Sequence, residues 1–366
     1  MLTYTNPDLV LAEPKNHSGS IRWKSPSNLA IIKYWGKHGR QLPRNPSISF
    51  TLDDACTDTQ VDFSPKTDQS TSAIELDFRF EGQPNEAFRT KMLGFLENIR
   101  DIFPFLGQLH LKVQSSNSFP HSAGIASSAS SMSALALCLC SIERELFGTL
   151  QDQPSFYQKA SFIARLGSGS ACRSLYSTMA IWGESEDAAG SSDLYAIPYT
   201  ETLHPIFKSF HDDILIVSKG EKSVSSRAGH ALMEGNRYAA QRYQQANDRF
   251  GQLLSALQSG DLDTFGRITE NEALTLHALM MTSNPSYILM HPNSLAIIDA
   301  LRNFRKGTGH PLYFSLDAGP NVHLLYPDHA KSAVKDFIKS DLLAFCVDQT
   351  WIPDQVGDGP KELKPV

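Results

Sequence analysis

The chain has 366 residues, with 33 lysines and arginines against 39 aspartates and glutamates, for a formal net charge of −6. At 41% hydrophobic and 20% charged residues it has an ordinary globular composition, long enough for two domains, and its acidic balance argues against a general nucleic-acid binder. No apolar run reaches the length of a bilayer span and residues 1–20 carry no signal-peptide core, so the sequence reads as a cytosolic protein without a membrane partner.

Residues 1–20 are polar, with proline and glycine, and read as a loose arm. A first strand is expected at 21–25. The stretch 27–38 follows, bringing Lys33, Tyr34, Trp35 and Lys37 together around Gly36. It reads either as a surface turn with two solvated lysines or as a phosphate contact, because a flexible ammonium suits phosphate as a compact charge. Strands are expected at 45–52, 61–63 and 74–80, then an amphipathic helix at 87–105 carrying Arg89 and Lys91. Leu109, Leu111 and Val113 alternate like a strand. Residues 117–131 are small, polar and glycine-containing and run straight into a helix rich in alanine and leucine. Strand, tight loop and helix start form a natural anion site, since a helix N-terminus leaves N–H groups unpaired and carries positive partial charge. The same residues also serve simply to cap a core helix.

A helix at 155–164 ends in a second small-residue loop, 165–174, with Arg173 near its end. The guanidinium there is shaped for a carboxylate or phosphate, or for a structural ion pair. A strand at 179–183 and a turn-rich stretch lead to a domain boundary near Thr202. Beyond it come a strand at 213–217, a long helix at 228–257, and helices at 262–281 and 293–304. Two strands between 312 and 326 are joined by a turn holding Asp317. That aspartate is either a turn former or a general base fixed by the Gly319-Pro320 that follows it. A helix at 331–340 and a loose tail from 357 complete the chain. The five cysteines, Cys56, Cys138, Cys140, Cys172 and Cys346, have irregular spacing and read as reduced, mostly buried thiols. The 12 histidines show no zinc-ligand spacing.

Taken together, Lys33-Tyr34-Trp35-Gly36-Lys37, the 119–128 loop, the 165–174 loop and Asp317-Ala318-Gly319-Pro320-Asn321 resemble the mevalonate diphosphate decarboxylases of the GHMP kinase superfamily. Arg89 and the run from Lys222 to Ser226 match as well. The resemblance spans roughly residues 25–326. It implies an α+β, two-domain GHMP kinase fold with the active site in the cleft between domains 21–202 and 203–366. It implies ATP-dependent decarboxylation of mevalonate 5-diphosphate to isopentenyl diphosphate, with ATP and Mg²⁺ required, and a homodimer. By resemblance, Asp317, Lys33 and Arg173 are catalytic. Tyr34, Trp35, Lys37, Arg89, Ser168 and Ser170 bind substrate. Ser122, Ala123, Gly124, Ala126, Ser127 and Ser128 face ATP, with Ser127 and Ser128 also near the metal. Departures from the family pattern are His121-Ser122, Pro46, the missing asparagine before Gly82 and a longer N-terminal arm. Alternatives on the same fold are a 5-monophosphate decarboxylase and a 3-kinase that does not decarboxylate. A binding module without catalysis would have lost Asp317 or Lys33.

Overall fold

The structure, a computed structural model, describes residues 4–68, 70–119, 125–220 and 223–365. Its strands are β1 (Gly19–Ile32), β2 (Lys37–His38), β3 (Leu42–Pro43), β4 (Ser47–Pro65), β5 (Glu75–Phe80), β6 (Gln83–Pro84), β7 (Leu109–Asn117), β8 (Met179–Trp182), β9 (Ala196–Pro198), β10 (His211–Leu215), β11 (Tyr313–Ser315), β12 (Val322–Tyr326), β13 (Trp351–Ile352) and β14 (Lys361–Leu363). Its α-helices are α1 (Glu86–Asn98), α2 (Ser127–Phe147), α3 (Gln153–Gly167), α4 (Ser226–Ala231), α5 (Ala239–Ser259), α6 (Leu262–Met281), α7 (Pro292–Thr308) and α8 (Lys331–Phe337).

An 8-stranded sheet runs β14-β1-β4-β7-β5-β6, with β8 on the other half of β4 and β9 beyond it. A second sheet, β11-β12-β10-β13, forms the C-terminal half, and β2-β3 is a small ribbon. β4 is the spine. Its early residues alternate: Ile48 and Phe50 enter a core with Phe207, Phe210 and Phe265 from the second half, while Ser47 and Ser49 turn to the opposite face. The two halves therefore share apolar core. Each buried phenylalanine there contributes about 1.5–3 kcal/mol.

Several expected elements differ. The strands expected at 45–52 and 61–63 are one continuous β4. The helix expected over 87–105 stops at Asn98, and Pro104, which cannot continue a helix, opens a separate 3₁₀ turn. The helix expected over 228–257 is two, α4 and α5. Gly235, at φ 78°, and the Asn236 side chain accepting from Tyr238 N at 2.9 Å turn the chain between them. The N-terminal arm is packed rather than loose: Leu9 and Leu11 are 2% and 5% exposed. The Gln108 side chain takes both backbone groups of Leu11, at 2.8 and 2.9 Å. The tail is not loose either, since β14 pairs with β1 from Arg22 to Lys24. Among the described residues no helix is long and apolar enough to cross a membrane.

Candidate active site

A cleft of about 550 Å³ opens where the two halves meet. The end of β1, the start of α2 and the 167–173 loop form one wall; α4, α6 and the β11–β12 turn form the other.

Lys33 reaches this cleft through a break in strand register. Asn28 and Ala30 line the cleft while Leu29 and Ile31 enter the core. Strict alternation would send Lys33 to the core side. The pairing of β1 with β4 slips between Ala30 and Ile32, and Lys33 emerges on the cleft side, as expected when a bulge re-aims the residues after it. Its side chain is 2% exposed and its Nζ lies 2.8 Å from Asp317 Oδ1. It is thus no solvated surface lysine. Asp317 sits in the β11–β12 turn, where its carbonyl accepts from Gly319 N at 2.8 Å and His277 Nε2 at 3.1 Å.

Arg173 lies at the base of the cleft and is 1% exposed. It donates to Ser49 Oγ at 3.0 Å, Ser47 Oγ at 2.7 Å and Asn28 Oδ1 at 3.3 Å, and packs over Trp182. Among the described residues it forms no ion pair, so the structural ion pair that its loop position allowed is not what holds it. Burial pulls its basicity below the usual arginine value.

At Ser127 the α2 helix begins without a side-chain cap; its N-cap position is Ala126, at φ 45°. Among the described residues no serine side chain caps the helix. Ala126, Ser127 and Ser128 at the start of α2 line the cleft beside Ser168, with Ser128 Oγ 3.2 Å from Ser168 Oγ, the end of a helix that suits an anion. Ser122, Ala123 and Gly124 lie outside the described residues.

Tyr34, Trp35, Lys37 and Ser170 also line the cleft, whereas Arg89 does not. Its guanidinium turns to the Leu76 carbonyl at 2.8 Å and to Glu86 at 2.9 Å. Lys91 takes a place on the wall instead. Residues two apart on a helix point to different sides, so Arg89 and Lys91 do not share one. The Tyr34 hydroxyl is buried without a hydrogen-bond partner among the described residues, and burial pushes its pKa up. Lys37 donates to Gln41 Oε1 at 2.7 Å, and burial with the Arg227 charge nearby lowers its pKa. Among the described residues the wall carries Lys33, Lys37, Lys91, Arg173 and Arg227 against one carboxylate, Asp317. An acidic protein has thus gathered positive charge at one place, which favours an anionic ligand.

His230, Arg227 and Lys91 were not singled out as site residues from the sequence. His230 lies against Tyr34 and Trp35, with ring centroids at 4.3 and 4.6 Å, and accepts from Gly36 N at 3.0 Å. Burial and the Lys37 charge bring its pKa down from 6.5 to about 3. Between those values the unfolded chain takes up a proton that the folded site refuses, so stability falls as pH drops through this window. Melting temperatures of wild type and His230→Gln, followed between pH 7 and pH 4, are expected to converge on acidification as wild type loses more. Gly36 sits at φ 99°, and a Cβ there would overlap the Tyr243 hydroxyl. Gly36→Ala is expected to cost about 1–3 kcal/mol in thermal unfolding, through left-handed strain and overpacking.

Residues 25–196 match the diphosphomevalonate decarboxylase-like N-terminal domain, and residues 213–361 the mevalonate 5-diphosphate decarboxylase C-terminal domain. The diphosphomevalonate decarboxylase of Schizosaccharomyces pombe is 31% identical over 322 residues, covering 82% of this chain and 77% of that protein. The crystal structure of mevalonate diphosphate decarboxylase from Staphylococcus aureus superposes with a TM-score of 0.81 at 25% identity, covering 96% of this chain and 100% of that one. A solved complex of MDDEF with MVAPP, AMPPCP and magnesium gives a TM-score of 0.79 at 28% identity, covering 95% of this chain and 100% of that one. The α+β build with its cleft between two domains is the GHMP kinase fold that the motifs implied. The Lys33–Asp317 pair, the α2 terminus on the cleft wall and these likenesses converge: this chain belongs to the diphosphomevalonate decarboxylase family.

Proposed function

We propose that the protein catalyses the ATP-dependent decarboxylation of mevalonate 5-diphosphate to isopentenyl diphosphate, releasing ADP, phosphate and CO₂, in the mevalonate route to isoprenoids. The observation that carries this reading is the Lys33–Asp317 pair, 2.8 Å apart in an otherwise cationic cleft. Asp317 accepts the proton of the 3-hydroxyl. A tertiary alcohol is a far weaker acid than a carboxylic acid, so the proton moves as the O–P bond forms and not before. Lys33 holds the carboxylate in place and faces the phosphoryl group in transfer, where positioning and charge neutralisation supply most of the catalysis. The α2 terminus, with Ala126, Ser127 and Ser128, receives the nucleotide phosphates. Once the 3-phosphate leaves, positive charge develops at C3. The electrons of the C–C bond to the carboxylate then form the alkene, and CO₂ departs. Arg173, with Ser168 and Ser170, holds that carboxylate. Tyr34, Trp35, Lys37, Lys91 and Arg227 surround the phosphate end.

Among the described residues no group of three His, Cys, Asp or Glu side chains is placed to bind a metal. That donor set fits Mg²⁺ carried mainly by the nucleotide's own phosphates, with Ser127 and Ser128 hydroxyls as protein ligands, where the ion would neutralise phosphate charge. The cytosolic homodimer implied by the resemblance belongs to the same proposal; sedimentation of the purified protein reads the second part.

One observation favours a second reading. Arg89 is turned away from the cleft, which removes one cation from the phosphate end and improves the case for a 5-monophosphate substrate. Lys37, Lys91 and Arg227 remain, and three cations suit the more highly charged diphosphate. The test measures ADP and CO₂ from Mg²⁺-ATP with mevalonate, its 5-phosphate and its 5-diphosphate in turn. Equal ADP and CO₂ from the diphosphate alone is the expected result. Preference for the monophosphate, ADP without CO₂, or no ADP at all would each overturn it.

A further inference from the structure

Two fully buried charges and a third beside them have no part in the chemistry above. Glu272 on α6 is 0% exposed at its side chain, and Arg242 and Arg249 on α5 are 2% and 14% exposed. Glu272 accepts from both terminal nitrogens of Arg242, at 2.7 and 2.5 Å, and from Arg249 Nη1 at 2.7 Å. Taking such charges out of water is costly, and apolar side chains of similar size would fill the same space at no such penalty. What the cluster grips is the backbone of Lys33. Glu272 Oε2 accepts from Lys33 N at 2.9 Å. The Lys33 carbonyl accepts from Arg242 Nη2 and Asn45 Nδ2, each at 3.2 Å. The β1–β4 ladder ends at Ile32, so Lys33 is the first residue that the sheet no longer holds. The second half of the molecule takes over there.

Five residues further along α6, His277 is 1% exposed and its Nε2 donates to the Asp317 carbonyl at 3.1 Å. A carbonyl only accepts, so this nitrogen carries the ring hydrogen. One helix thus holds a backbone group of each member of the Lys33–Asp317 pair, at two points about 7.5 Å apart along its axis. Lys33 and Asp317 belong to different halves. Across the cleft their side chains meet at Lys33 Nζ and Asp317 Oδ1, 2.8 Å apart.

We propose that α6 sets the separation and alignment of Lys33 and Asp317, with Glu272 and His277 as positioning residues acting through the backbone of the catalytic pair. A helix is the stiffest element available for this, and placement of reacting groups to within about 0.5 Å is what catalysis needs. The proposal rests on the reaction proposed above for its turnover readout, and on the Lys33–Asp317 ion pair for its second.

The test uses the full chain with His277→Ala, His277→Gln and Glu272→Gln. Glutamine at 277 still carries an N–H donor for the Asp317 carbonyl; alanine does not. His277→Ala is expected to lower kcat by about 10–100-fold with KM for ATP and substrate little changed, the loss that follows from misplacing a group by about 1 Å. His277→Gln is expected to recover most of it. Glu272→Gln, which keeps an acceptor for Lys33 N but loses the charge that orders the arginines, is expected to fall between. The second readout is the Lys33 ammonium signal in ¹⁵N-lysine-labelled protein, assigned with Lys33→Arg. Its protons exchange slowly while paired with Asp317 and are expected to exchange faster in His277→Ala and to slow again in His277→Gln. Full kcat and an unchanged Lys33 signal in a folded His277→Ala overturn the proposal. So does equal loss in the alanine and glutamine variants with falling melting temperature, which marks a structural role alone. If wild type turns over none of the three candidate substrates, the proposed reaction fails, and the Lys33 signal decides the role of α6 by itself.

Discussion

Asp317→Ala is expected to reduce turnover by about 10³–10⁴-fold, the upper range for loss of a positioned general base, with the circular dichroism spectrum retained. The size follows from isolation: among the described residues no other carboxylate lines the cleft. No neighbour can substitute for it on an alcohol so weakly acidic. Asp317→Asn separates base from scaffold. The amide keeps an oxygen for Lys33 Nζ, now 2.8 Å from Oδ1, but accepts no proton at neutral pH. Both variants are expected to be inactive, and the asparagine variant is expected to melt closer to wild type, since alanine leaves Lys33 buried without its partner. Near-normal turnover in either variant would remove Asp317 from the proton transfer.

The comparison of Arg89 with Lys91 shows what the sequence carries and what it leaves out. Both sit on an evident helix start, with Asn85 accepting from Phe88 N as its cap. Which of the two reaches the cleft depends on how α1 is rotated against β5, a tertiary choice that spacing does not encode. Asp317, by contrast, was legible: flanked by Gly319 and Pro320 between two alternating strands, it had few places to be other than a tight turn. α6 was legible to its ends because Asp261 caps it, accepting from Thr264 N at 3.0 Å, and apolar residues recur on one side. The tail was not legible. β14 finds its partner in β1, more than three hundred residues earlier, and Asp354 closes on the backbone N–H groups of Asp53, Asp54 and Ala55 at 2.7–2.9 Å. Those contacts let β4 run through two exposed-looking aspartates that in the sequence mark a break. The same holds for the Arg242–Glu272–Arg249 cluster. On helix surfaces such charges ordinarily face solvent, and only docking of α5 and α6 onto β1 buries them.

Arg173→Met is expected to lower kcat/KM by about 10²–10³-fold, comparable to the loss of a donor aimed at a charged reacting group. A guanidinium has five N–H donors. Three are committed, to Ser47, Ser49 and Asn28, and those bonds fix the plane of the group from behind. Among the described residues one donor on each terminal nitrogen remains, and a carboxylate can bind a guanidinium through both terminal nitrogens at once. Arginine stays charged in a buried site, and here no carboxylate among the described residues neutralises it. The free protein therefore bears the desolvation of that cation, and the incoming carboxylate relieves it. This makes thermal stabilisation by substrate a direct readout: a ligand that binds the folded state alone raises the melting temperature. Mevalonate 5-diphosphate without nucleotide is expected to raise that of wild type and to do so far less for Arg173→Met. Arg173→Lys tests the geometry, because an ammonium keeps the charge but lacks the planar fork, and it is expected to recover little. A lysine variant that restored both turnover and stabilisation would mean that charge alone is read at this position. A methionine variant that kept both would place the substrate carboxylate elsewhere on the wall.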